Sequence, residues 1–164
     1  MRKFFLATLV ASLIAGFLAS FLNVSQISGK SMEPTLHDKQ LIILSRNAGN
    51  LERADIVFYH PLTRDQKDVD NSQVFVGRIV ALPHEQYRVQ KGSVYLKTES
   101  TYKLIEEYLP QNTTTPNTVS DYWFPLQESQ YLVWGDNRAS IQNNNSPEHV
   151  VSRGQIFGKL VWKF

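Results

Sequence analysis

From Phe4 to Leu22 the chain runs FFLATLVASLIAGFLASFL without one charged residue. At ~1.5 Å rise per residue, a helix of this length nearly matches a hydrocarbon core of ~30 Å, so the run is expected to be a transmembrane span. Arg2 and Lys3 precede it and no other basic residue occurs before Lys30. The positive-inside rule then puts the N-terminus in the cytoplasm and everything after residue 23 outside. A cleavable leader begins in the same way, but its apolar region is typically ~7–15 residues, and no clean small-x-small site follows here. An uncleaved anchor over residues 1–23 is the expectation.

The 164 residues leave room for this anchor and one compact domain. The formal net charge of +2 is spread along the chain without a dense basic block, so no nucleic-acid partner is expected. The absence of cysteine excludes disulfides and thiolate metal sites. No metal or cofactor is expected.

Beyond residue 23, short β-branched and aromatic runs alternate with turn formers: NVSQIS, QLIILS, DIVFYH, VFVGRIVAL, QYRVQ, SVYL, QYLVW and QIFGKLVW. These predict strands, with Lys91-Gly92 as a hairpin turn between QYRVQ and SVYL. The domain is expected to be all-β, the one weak helical pattern lying between Tyr102 and Tyr108. Residues 98–128 are rich in Thr, Asn and Pro and short of strand signals, and they predict an inserted cap. Tyr122, Trp123 and Phe124 would pack that cap onto a main domain made of residues 24–97 and 129–164.

Ser28-Gly29-Lys30-Ser31-Met32-Glu33-Pro34-Thr35-Leu36 begins only a few residues beyond the apolar run. It resembles the SGxSMxPTL box of the bacterial type I signal peptidases. Further boxes follow in that family's order. Ala54-Asp55-Ile56-Val57-Phe58 is similar to its GDIVxF strand, residues Val76 to Pro83 to its xKRVxGLP strand, and Gly135-Asp136-Asn137-Arg138 to its GDNR box, with Gly158-Lys159 at a late Gly-Lys position. The resemblance covers residues 24–85 and 131–164. It implies a signal-peptidase-like β-fold behind the N-terminal helix, with Ser31 at the position of the nucleophile.

A serine hydroxyl needs a neighbouring base to take its proton, and the resemblance implies that a lysine supplies it. The matching position is Gly77, which cannot accept a proton. The family's SxDSR pattern after GDNR, whose side chains help position that lysine, falls on Ile141, Asn143, Asn144 and Asn145, although a shift of one residue recovers Ser140. Among substitutes, Lys30 should face away from its neighbour Ser31, because consecutive side chains of an extended segment point to opposite sides. His84 lies roughly 23 Å of strand beyond Gly77 at ~3.3 Å per residue. His37, His60 and His149 lack a motif, and Lys67 sits in a charged turn.

The resemblance further implies an ion pair between Arg78 and Asp136 that supports the site. It also implies a groove in which extended substrate pairs with strands beside the serine, with Met32, Pro34, Ile79 and Val80 at its edge. The expected partners are secreted preproteins or pilin subunits, together with membrane lipid, since signal-peptidase-like proteins accompany pilus assembly in Gram-positive bacteria. Two functions stand against each other: a hydrolytically impaired accessory that binds extended segments of secreted or pilus proteins at the outer membrane surface, and an active serine endopeptidase with a substitute base. A purely structural membrane protein is the third possibility.

Overall fold

The computed structural model describes residues 2–62, 69–116, 122–140 and 149–164. A helix, α1 (Arg2–Phe21), occupies the apolar run and passes directly into β1 (Leu22–Gln26). Described side chains on α1 are bare: Phe4 is 81% and Leu13 65% exposed. Among the described residues, no helix is long and apolar enough to cross a membrane. The segment is therefore helical as expected, but its reading as a span rests on the sequence.

Ten more strands follow: β2 (Leu41–Ser45), β3 (Ile56–Tyr59), β4 (Phe75–Ala81), β5 (Gln86–Gln90), β6 (Ser93–Lys97), β7 (Thr101–Lys103), β8 (Phe124–Pro125), β9 (Gln130–Trp134), β10 (Val150–Ser152) and β11 (Ile156–Lys163). Seven form one antiparallel sheet in the order β1-β2-β11-β3-β4-β9-β10, and four form a second in the order β7-β6-β5-β8. The domain is thus mostly β. The hairpin expected at Lys91-Gly92 is present: Gln90 pairs with Ser93, and both loop residues have positive φ, 51° and 73°, as a two-residue primed turn requires.

The weak helical pattern around Tyr102 gives no helix. Residues 101–103 form β7 instead, because the edge of β6 offers hydrogen bonds that an isolated single turn cannot match. The region expected as a cap, 98–128, contributes β7 and β8 to the second sheet, pairing with β6 and β5.

Burial explains how the layers stack. Alternation along β5 and β6 points Tyr87, Val89, Val94 and Leu96 inward, where they meet Val80, Ala81, Leu132 and Trp134 of the large sheet. On the opposite face of β4, Ile79 packs with Val57, Val133, Val151 and Ile156. Strand β4 is therefore covered on both faces from Gly77 onward, which fits its near-continuous apolar sequence. A third cluster, Ile27, Met32, Leu36, Ile42, Leu44, Ile56 and Phe58, fills the space beneath the turn that carries Ser31.

Candidate active site

Ser31 opens a tight turn just after β1. Met32 and Leu36 are four residues apart, the Leu36 N–H donates to the Met32 carbonyl at 2.9 Å, and both side chains enter the core beneath. These two apolar plugs hold the turn down and leave Ser31 exposed. Gly29, with φ 95°, supplies the left-handed bend before it, and its N–H donates to Asp38 Oδ1 at 2.8 Å.

The loop after β9 closes on this turn. The Asn137 N–H donates to the Ser31 carbonyl at 2.9 Å, and Asn137 Nδ2 donates to the Lys30 carbonyl at 3.1 Å. Gly135 is needed for that approach, since a Cβ there would overlap the Ser31 carbonyl and lie 3.4 Å from Ser31 Cβ. The sequence box that begins at Gly135 is thus a clamp on the serine turn.

Beneath the clamp lies a buried polar network. Asp136 accepts from Arg78 Nε at 2.9 Å and Nη2 at 2.5 Å, and from Thr35 Oγ1 at 2.5 Å. The ion pair expected between Arg78 and Asp136 is present and almost fully enclosed, with side-chain exposures of 9% and 0%. Arg78 Nη1 also donates to the Ala54 carbonyl at 2.9 Å, and the Tyr108 ring covers its guanidinium at 4.1 Å. One charged fork thereby joins β4, the serine turn and the clamp loop.

Arg138, 1% exposed, extends the network to Glu106 and Thr115. It donates to the Gly135 carbonyl at 3.0 Å, to Thr115 Oγ1 at 2.9 Å and to both carboxylate oxygens of Glu106. Tyr108 donates its hydroxyl to the same carboxylate at 2.5 Å. Burial, followed by the neighbouring Glu106 charge, pushes the Tyr108 phenol far above its usual range. Glu106, Tyr108 and Thr115 were not singled out by sequence. Their one visible signal is a carboxylate and a tyrosine in a segment otherwise rich in Thr, Asn and Pro.

At Gly77 a Cβ would begin 2.6 Å from Val133 Cγ1 and 3.2 Å from the Trp134 carbonyl oxygen. The space where a side chain would leave β4 is already occupied. No hydrogen bond joins Ser31 Oγ to another group among the described residues. His60 Nδ1 sits 2.6 Å from the Gln73 carbonyl and its ring stacks on Phe157, His37 and His84 are exposed, and the His149 ring packs edge-on to Trp134. Lys67, Ile141, Asn143, Asn144 and Asn145, with the side chain of Ser140, lie outside the described residues. Lys163, which sequence reasoning passed over, brings its Nζ to the Thr35 carbonyl of the serine turn at 2.8 Å.

The expected groove residues need correction. Met32 is 1% exposed and Ile79 and Val80 are 0% exposed, each packed into a core cluster, and of the four only Pro34 shows its side chain. The sequence could not show that β4 is covered on both faces. What remains open is backbone: β4 is registered with β9 from Arg78 onward, so residues 75–77 have no strand partner on that side among the described residues.

The site is thus an exposed serine on a clamped turn of an antiparallel β domain, with a buried Arg–Asp fork beneath it. The family model described as "Signal peptidase, peptidase S26" matches residues 1–162, and the chain belongs to that family. It is 26% identical over 157 residues to signal peptidase I U of Bacillus subtilis (strain 168), covering 92% of this chain and 79% of that one. It is 32% identical over 144 residues to probable signal peptidase I-2 of Synechocystis sp., covering 84% of this chain and 61% of that relative. Among solved structures, a signal peptidase I from Enterococcus faecalis V583 superposes with a TM-score of 0.50 at 18% identity, over 70% of this chain and 100% of that chain, a likeness of fold alone.

Proposed function

We propose that this protein is a membrane-anchored, signal peptidase I-like protein with impaired hydrolysis. It binds extended segments of secreted proteins, pilus subunits among them, at the outer membrane surface as an assembly accessory. The observation that carries the reading is Gly77: no base stands there, and Val133 fills the space into which one would project. Ser31 then keeps its place on a clamped turn with no hydrogen-bond partner for its hydroxyl among the described residues.

Binding does not need that base. Residues 75–77, without a strand partner on the β9 side among the described residues, offer main-chain donors and acceptors to an extended peptide, which adds there as a strand. The apolar run in α1, uncharged and with exposed side chains at Phe4, Leu9, Val10 and Leu13, serves as the anchor, with the N-terminus in the cytoplasm. Residues 98–128 act as a cap held by Glu106 and Thr115 on Arg138.

The second reading, an active signal peptidase with a substitute base, is favoured by the exposed, clamped Ser31 and by an amine, Lys163 Nζ, on the serine turn. Cleavage of a preprotein by the full chain in detergent, with Ser31→Ala as the blank, separates the two. Retained preprotein binding without serine-dependent product supports the accessory. Serine-dependent product overturns it.

A further inference from the structure

The outward face of the second sheet has a character of its own. Alternation sends Tyr87, Val89, Val94 and Leu96 into the core, so Arg88, Tyr95 and Lys97 stand on the other side. Register aligns them: Arg88 lies opposite Tyr95, and Tyr95 opposite Lys103 of β7. Trp123 of the inserted region completes the surface. The Arg88 guanidinium sits 4.6 Å from the Trp123 ring and 5.5 Å from the Tyr95 ring, with Lys97 Nζ 5.9 Å from Trp123.

Three cations and two aromatic rings thus share one face. Among the described residues, none of Arg88, Lys97 and Lys103 forms an ion pair, whereas Arg53, Arg78, Arg138 and Lys159 are each paired with a carboxylate. Among the described residues, the buried Arg88 Nε has no hydrogen-bond partner. A cation stacked on rings is held in place without being neutralised, so its attraction for an anion persists. Aromatic and arginine side chains are also the types that concentrate binding energy at protein surfaces.

We infer that this face is a docking site for an acidic segment of a polypeptide partner, separate from the serine turn. Charge complementarity selects an anion, and the interleaved rings favour a chain with carbon surface between its carboxylates over a bare polyphosphate. An anionic membrane is disfavoured by position. The second sheet packs on β4 and β9, whereas α1 feeds β1 at the far edge, four strand spacings or roughly 19 Å from β4 at ~4.8 Å each. The site goes beyond the proposed peptide-binding edge and stands whether or not Ser31 cleaves.

The test uses the full chain in neutral detergent and a fluorescein-labelled peptide of alternating Glu and Ala, followed by anisotropy. Binding is expected to weaken about tenfold or more in the Arg88→Gln/Lys97→Gln/Lys103→Gln variant and to fall steeply with added salt. Ser31→Ala should bind as the parent does, which keeps this result apart from the cleavage assay. Lys97→Glu/Lys103→Glu, confined to two exposed residues of the sheet, repeats the measurement with little demand on folding. Equal binding by the parent and these variants overturns the site. So does charge-dependent binding to phosphatidylglycerol vesicles through the same residues with no peptide binding.

Discussion

Val133 Cγ1 lies 2.6 Å from the point at which a side chain on Gly77 would begin. Real Cβ contacts do not come this close, and Val133 cannot swing aside, because its branched carbon is stiff and the residue is 1% exposed. Gly77→Ala is therefore expected to cost about 1–3 kcal/mol by overpacking. In a denaturant double-mutant cycle, Val133→Ala should relieve part of that cost. Strictly additive effects would contradict the contact.

The same contact bears on chemistry. Gly77→Lys alone is expected to yield no serine-dependent cleavage, because its stem must displace Val133 before its amine can reach any partner. The assay is preprotein processing with Ser31→Ala as the reference. Strong product from this single variant would show that the position accepts a base as it stands.

Breaking the fork beneath the serine should be costly. Asp136→Asn leaves the Arg78 charge enclosed without its counter-charge, and a loss of about 3–5 kcal/mol in unfolding free energy is expected. Replacing both partners, as Arg78→Met with Asp136→Leu, should recover a large part of that loss. Chemical denaturation of the three variants measures both effects.

Glu106→Gln removes the carboxylate that answers Arg138 and accepts from Tyr108. Loosening of residues 98–128 is expected, read as faster limited proteolysis in that region while the large sheet stays protected. Unchanged cleavage kinetics would mean that β7 and β8 alone hold the inserted region.

Alkaline pH tests the buried phenols. Burial raises the Tyr87 phenol to about 12, and Tyr108 is raised in the same direction. Both are neutral in the fold and ionise first in the unfolded chain. Their contribution is complete below the ordinary value of 10.0 and is lost as pH climbs through the folded value. Thermal melts should show a fall in stability over that window, made shallower by Tyr87→Phe.

Much of the fold was legible because one-dimensional patterns set it. The runs QLIILS, QYRVQ and SVYL declare strands through alternation and β-branching, and Lys91-Gly92 declares its turn through the positive φ it must adopt. The strands β7, β8 and β10 were missed because two or three residues carry no period, and their pairing is decided by the edges already present. The site divides in the same way. The serine box and the Gly135 box could be read from residue order, and an Arg78–Asp136 pair was foreseeable. Glu106 and Thr115 were not, because they reach Arg138 across separations of 32 and 23 residues.

The sequence by itself determined the apolar run, the order of the main strands, the serine turn and the absence of a lysine at position 77, since each is a local property of residue type and spacing. Only the tertiary structure decided that Met32, Ile79 and Val80 are core, that Val133 occupies the space beside Gly77, and that Arg138 binds Glu106 and Thr115. The reason is that covering a strand, filling a space and pairing a buried charge depend on which distant segments pack together. Residue type limits those choices, but close packing makes them.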